Sequence, residues 1–282
     1  MCIRDSNIAV QDAVAAANGA HFTPAPAGAE EVIWPSVAYQ EWGGQTYMHI
    51  AGTEAPPGTE SHAIFYIRRV GDCGSATWPT PSAVFVLDTT NTLSLDIDAS
   101  QTSGKVAIAW SANTAFYGEC DTCSPLEPWP GLGGLNQMDN DMYVQISTDA
   151  GATWQPRVNI TKYPGESQDG FRAYADANVL IDSDDVVHVT WPARYWPANA
   201  VEDGQAGLFR NRIFTWNDVV QSVRTVHDAN WDQEHCTPGA WNMQACKPQM
   251  SECNGRLYVI FVQYNDAPAG RLDDCACLLY TS

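Results

Sequence analysis

Ser147-Thr148-Asp149-Ala150-Gly151-Ala152-Thr153-Trp154 decides how the rest of the chain is read. The octet fills the pattern S-x-D-x-G-x-x-W without a gap. Each of its residue types suits a tight turn. Asp149 accepts hydrogen bonds from turn N–H groups, Gly151 permits a positive φ, and Trp154 buries a large ring beneath the turn. The runs on either side, Met142–Ser147 and Arg157–Ile160, read as the two strands of a hairpin.

Outward from that hairpin, the text is short apolar runs broken by Gly, Pro, Asn and Asp, which reads as strands and turns throughout. Only Ile8–Asn18 has a helical pattern. The runs recur as a unit of four. The first comprises Val32–Val37, Thr46–Ile50, Ala63–Arg69 and Val84–Leu87, with a degenerate copy of the octet at Asp72-Cys73-Gly74 and Trp78. The second comprises Leu93–Ala99, Val106–Trp110 and the two strands of the octet hairpin. The third comprises Ala177–Ile181, Val186–Trp191, Leu208–Trp216 and Val223–His227, with no octet at Asn217-Asp218. A fourth starts with Pro248–Glu252 and Arg256–Gln263. Second strands align well: Val106-Ala107-Ile108-Ala109-Trp110 matches Val187-His188-Val189-Thr190-Trp191. Four-stranded units recurring every ~60 to 80 residues predict an all-β chain of antiparallel propeller blades. A β-sandwich with irregular hairpins is the alternative.

The predicted boundaries follow. Residues 32–276 form a partial propeller, with blades at about 32–90, 91–165, 166–230 and 245–276, the last cut short. Residues 7–31 are a lead-in segment or the tail of an upstream blade. Residues 1–6 and 277–282 back-translate to strings that are reverse complements over most of their length, as a transposase sequencing adapter would be; both are set aside as non-native. Three blades and part of a fourth do not close a ring, so a full ring of about six or more is expected.

The octet resembles the Asp-box of the bacterial-neuraminidase-repeat, sialidase-like β-propellers. In that superfamily it forms a structural hairpin between the two outer strands of a blade, and the members include sialidases, other glycosidases, receptors and non-catalytic binding proteins. The resemblance implies that the octet faces away from the ligand site. The ligand-facing segments are then Ser111–Asp141, Lys162–Asp176, Pro192–Gly207 and Asp228–Lys247. They are the longest loops in the chain and carry aromatics of the kind that stack on sugars, Tyr117 and Phe171 among them. The ligand-binding candidates are Trp129, Arg172, Tyr174, Arg194, Tyr195, Trp196, Trp231 and Trp241. Sialidases of this fold use an arginine triad, a Tyr nucleophile paired with Glu, and an Asp acid/base. These loops offer only Arg172 and Arg194. Phe171-Arg172-Ala173-Tyr174 lacks the Ile-Pro of the family's first arginine motif, and Arg172 is expected to pair with Asp176 or another loop carboxylate.

Charge narrows the partners. The formal net charge is −19, and lysine occurs only at Lys105, Lys162 and Lys247. Such a surface argues against nucleic acid and anionic membrane as partners, since both require basic patches. No run approaches the ~18 apolar residues of a membrane span. Apart from Cys2 and Cys277, the cysteines are Cys73, Cys120, Cys123, Cys236, Cys246, Cys253 and Cys275. Their loop setting predicts disulfides and an extracellular or cell-surface location, with a zinc site at His235 and Cys236 as the alternative. Asp139, Asp141 and the Asp182–Asp185 turn carry hard oxygen donors, so calcium is a possible ligand, though no cofactor is required. His188, between two valines, is expected to hydrogen-bond between blades. Asn159-Ile160-Thr161 is a glycosylation sequon.

The expected function is therefore non-catalytic binding of a glycan or an extracellular protein. The alternative is an exo-acting, sialidase-like glycoside hydrolase whose site is completed by further blades.

Overall fold

The computed structural model describes residues 32–54, 62–71, 84–92, 94–113, 116–117, 140–163, 170–174, 176–196, 207–230, 243–264 and 277–281. Within them the chain is entirely β. The strands are β1 (Val32–Trp42), β2 (Gln45–Glu54), β3 (His62–Val70), β4 (Val84–Thr90), β5 (Leu95–Ala99), β6 (Val106–Asn113), β7 (Asn140–Ser147), β8 (Val158–Asn159), β9 (Gly170–Ala173), β10 (Asn178–Ile181), β11 (Val187–Trp196), β12 (Gly207–Asn217), β13 (Arg224–Asn230), β14 (Ala245–Cys253), β15 (Arg256–Tyr264) and β16 (Cys277–Thr281). The expected helix over Ile8–Asn18 lies outside the described residues.

Four antiparallel meanders follow one another: β1–β4, β5–β8, β10–β13 and β14–β16. The first is a sheet of its own. The second and third run together in one nine-stranded sheet because β9, which sequence patterning misses, bridges them. It pairs with the end of β11 from Ala193 to Trp196 and touches β7 at Asn140. Strand β10 pairs with β11 only from Val187 to Thr190. The partner of β11 thus changes around Pro192, a residue with no N–H to donate. Its carbonyl accepts the Tyr174 amide at 3.0 Å. Residues 277–281, set aside in the sequence reading, pair with β15 as the third strand of the last meander.

A hydrogen-bonded chain crosses the first strands of all four meanders, through side chains in the first three and a backbone amide in the fourth. Ser36 Oγ donates to Asp96 Oδ1. Asp96 Oδ2 accepts Asn178 Nδ2 at 2.7 Å and the Val179 amide at 2.9 Å. Asn178 Oδ1 in turn accepts the Met250 amide at 2.7 Å. A parallel row lies alongside. Asp98 Oδ2 takes the Ile181 amide at 2.7 Å, and Glu252 takes the Ser183 amide and hydroxyl. Burial outweighs these bonds and pushes both aspartates up, Asp98 to about 6. The approach to these strands is also shared. Trp34, Asp176 and Lys247 each adopt a positive φ two residues before Ser36, Asn178 and Gln249, and at Trp34 and Lys247 the kink coincides with a register shift in the ladder.

Apolar layers fill the spaces between successive meanders. Ala38, Ile64 and Tyr66 of the first meet Ile97, Ile108 and Trp110 of the second. Ala107, Met142 and Val144 meet Val179, Trp191 and Phe214 of the third. Ile213 and Ala229 meet Val259 and Phe261 of the fourth. Trp110 and Trp191, aligned from the sequence alone, are both fully buried in the layer facing the preceding meander.

The octet docks on the first meander as a fitted piece. Ser147 Oγ accepts the Gly151 amide at 2.9 Å, and Asp149 Oδ1 accepts the Thr153 amide at 2.8 Å. Slight burial works against the Asp149 charge, but the Thr153 and Ser147 bonds outweigh it and hold the carboxyl low. Gly151 has φ 74° and lies against Tyr66 of β3; a Cβ there would fall inside the Tyr66 hydroxyl and 2.6 Å from its Cζ. Trp154 meets the Tyr66 ring edge-on at 4.9 Å. Behind the ring runs a buried polar chain. Gln40 Nε2 donates to the carbonyls of Ser100, Ser103 and Lys105, so its Oε1 must accept from His49 Nε2. His49 Nδ1 is then the acceptor for the Tyr66 hydroxyl at 2.7 Å. Burial, aided by Arg68, lowers His49 to about 4, which keeps that tautomer neutral.

Gly151→Ala combines an αL alanine with a clash against Tyr66, and is expected to cost at least about 2 kcal/mol. Urea unfolding checks this, and a change below about 0.5 kcal/mol would contradict the fitted-hairpin account.

Candidate functional site

The rim formed by the end of β11, the start of β12 and the end of β13 is where the chain leaves for residues 197–206 and 231–242. Of the sequence candidates, Trp129, Trp231, Trp241 and Asp139 lie outside the described residues, and for Trp196 only the backbone, paired with Gly170, is described. So do Cys73, Cys120, Cys123, Cys236, Cys275 and His235. Cys253 is an exposed free thiol, so it staples no loop in this structure.

Arg172 and Arg194 are brought together, directly opposite one another across β9 and β11, and so on the same face of the sheet. Both are buried, at 1% and 4% exposure. Each guanidinium lies on a tyrosine ring: Arg172 Cζ is 4.7 Å from the Tyr163 centroid, and Arg194 Cζ is 4.4 Å from that of Tyr174. Burial lowers the Arg194 pKa, an effect the neighbouring Tyr174 opposes. Tyr174 is itself buried. These three candidates therefore build the sheet interior.

Of the two expected partners of Arg172, Asp176 or another loop carboxylate, the structure favours the second. Asp176 feels Lys247 as its compensating charge, whereas the carboxylate that feels Arg172 is Asp141. Asp141 is surrounded by donors: Thr161 Oγ1 and the Tyr163 amide on Oδ1, and Asn159 Nδ2 at 3.0 Å on Oδ2. Burial raises its pKa in spite of them. The sequon thus has a structural role, since Asn159 and Thr161 both anchor Asp141. The Asp182–Asp185 turn is likewise engaged, with Asp182 Oδ1 on the Asp184 and Val186 amides and Asp185 beside Lys105. His188 bonds Asp182 at 2.7 Å within its own meander rather than between meanders. Among the described residues, no three His, Cys, Asp or Glu side chains gather closely enough to hold a metal ion. Tyr117, expected to face ligand, instead holds the sheets together. Its hydroxyl accepts Trp110 Nε1 at 3.0 Å and donates to the Thr89 carbonyl, under the Arg157 guanidinium.

Tyr195 alone of the described candidates is partly exposed with its side chain at the rim. It meets Phe171 edge-on at 5.5 Å. Two arginines absent from the sequence reading complete the cluster. Arg210 Cζ lies 4.4 Å from the Tyr195 centroid, and Arg212 Cζ 4.2 Å from that of Phe171. Arg212 also donates from Nε and Nη2 to Asp228 Oδ2, at 2.9 and 2.7 Å. The signal for them was the strand period: residues 210 and 212 share a face of the strand that starts as the loop ends. Chemically, the rim offers aromatic surface and oriented guanidinium donors.

No protein-family model matches the chain, and no curated protein sequence matches it. Among solved structures the chain is similar to the endosialidase of phage phi92, 10% identical with a TM-score of 0.51, over 93% of this chain and 36% of that one. It is also similar to Trypanosoma rangeli sialidase (12% identity, TM-score 0.44, 99% and 39% of the two chains) and to an alpha-L-arabinanase of Cellvibrio cellulosa (13%, 0.38, 98% and 71%). The chain spans little more than a third of the endosialidase and sialidase chains. At such identity the endosialidase likeness establishes fold alone, and that fold is a sialidase-like propeller.

Because Arg172 anchors the interior, Arg172→Ala is expected to destabilise the chain by about 2–4 kcal/mol through lost packing and cation–π contact. Denaturant melts check this, and an unchanged midpoint would contradict it.

Proposed function

We propose that this chain is part of a secreted or cell-surface sialidase-like propeller that binds a glycan through its loop-bearing rim without cleaving it. On this reading the octet is an Asp-box, the meanders β1–β4, β5–β8 and β10–β13 are blades, and β14–β16 belong to a fourth. The observation that carries the binding reading is the partly exposed Tyr195–Phe171 pair with its stacked arginines at the rim. What supports the absence of catalysis is the burial of Arg172 and Arg194. A substrate carboxylate is held by guanidinium edges it can reach, and these two are sealed against Tyr163 and Tyr174. The second reading is the exo-acting, sialidase-like hydrolase, whose propeller fold the chain shares with an endosialidase.

A fluorogenic sialoside and an array of neutral and acidic glycans, both presented to the full chain, separate the two. Glycan capture without sialoside turnover is expected. Turnover abolished by Arg172→Ala would overturn the binding reading in favour of the hydrolase.

A further inference from the structure

The molecule is strongly acidic, with 33 Asp and Glu against 14 Lys and Arg. In such a chain a cation ordinarily finds a carboxylate, as Lys105, Arg157 and Arg212 do. Arg210 is the exception at the rim. It is exposed, and among the described residues its guanidinium rests on Tyr195 and makes no ion pair. Stacking uses the face of a guanidinium and leaves the in-plane N–H groups available as donors. The ring beneath also fixes the plane, so little rotamer freedom remains to be lost on binding.

Its platform is rigid. Tyr195 abuts Phe171, Phe171 meets Phe214 at 6.0 Å, and Phe171 packs against the buried layer beneath. Arg212 lies on Phe171, two residues along the same face of β12, or about 7 Å away. It is already held by Asp228, which is itself about half exposed. Among the described residues the rim therefore presents one arginine engaged by a carboxylate and one without an ion pair, side by side on an aromatic base.

We infer that Arg210, supported by Tyr195 and by the Arg212–Asp228 pair, is a subsite for an oxyanion carried on a glycan, either a sugar carboxylate or a sulfate ester. The inference rests on the glycan-binding reading and names the class of glycan. The net charge of −19 does not forbid it. At physiological salt, charges more than about 8 Å apart are largely screened, so the local pair of guanidiniums sets the field at the rim. Among the described residues Asp228 is the countercharge of Arg212, and it competes with the ligand for that guanidinium. It thereby limits affinity and favours a ligand that brings its anion to Arg210.

Calorimetric titration of the full chain with three tetrasaccharide probes tests this: one sulfated, one carboxylated without sulfate, and one neutral. At least one anionic probe is expected to bind about tenfold tighter than the neutral one, and which of the two does so identifies the oxyanion. Arg210→Ala is expected to remove that preference and flatten the salt dependence while leaving the unfolding midpoint unchanged. Asp228→Asn is expected to tighten binding several-fold. Neutral and anionic probes binding alike, or Arg210→Ala binding as the parent does, would overturn the subsite while leaving the glycan-binding reading intact. Failure of every probe and of the glycan array would overturn both.

Discussion

The structure depends on how the inner edge of each meander is satisfied. A meander's first strand is a sheet edge, and its outward N–H groups have no strand to pair with. Here the neighbouring meander supplies side chains instead. Asp96 accepts the Val179 amide, Asp98 the Ile181 amide, and Asn178 the Met250 amide. A buried N–H without a partner costs about 1–3 kcal/mol, and a buried carboxylate without donors costs more. The two aspartate bonds remove both penalties together, and all three bonds fix the spacing of adjacent meanders. The raised pKa values of Asp96 and Asp98 show that burial still exceeds what their donors return, so neither carboxylate can lose its partners lightly.

That arrangement divides the molecule by role. Along the inner strands, polar groups are matched across the meanders in largely part-buried bonds. In the layers between sheets, Trp110, Trp191 and their aliphatic neighbours exclude water. At the rim the matching loosens. Arg172 and Arg194, a short distance below it, still belong to the interior, each seated on a tyrosine. Arg210 and Arg212, at the edge, use the same guanidinium-on-ring contact but face outward. One contact geometry is sealed in one place and open to solvent in the other, and exposure decides which. A packed interior is what fixes the outward-facing side chains of the rim in place.

Much of this was legible in the sequence. Alternation gave fourteen of the sixteen strands among the described residues to within a few residues, because a strand with one buried face shows period two. The octet announced its turn because Gly151 and Asp149 have no cheaper use. Strand β9 was missed because Gly170-Phe171-Arg172-Ala173 is short and pairs only with sequence-distant strands. The site was harder to read, since loop position predicts accessibility poorly. Arg172, Tyr174, Arg194 and Tyr117 sit in segments expected to face ligand, yet tertiary packing draws them inward. Arg210 and Arg212 were overlooked for the opposite reason, because they lie on a strand rather than in a loop. His188 looked like a link between meanders, but Asp182, six residues away, was the nearer acceptor.

Amide hydrogen exchange followed by NMR tests the account most directly, at Val179, Ile181 and Met250. None of the three amides is donated across to another strand on its outward side; each is held by a side chain of the adjacent meander. If the meanders are joined as described, these amides exchange as slowly as the ladder amides of β6 and β11. Exchange at the rate of an open sheet edge would show that the side-chain links do not hold in solution, and the division into fixed interior and ligand-bearing rim would fall with them.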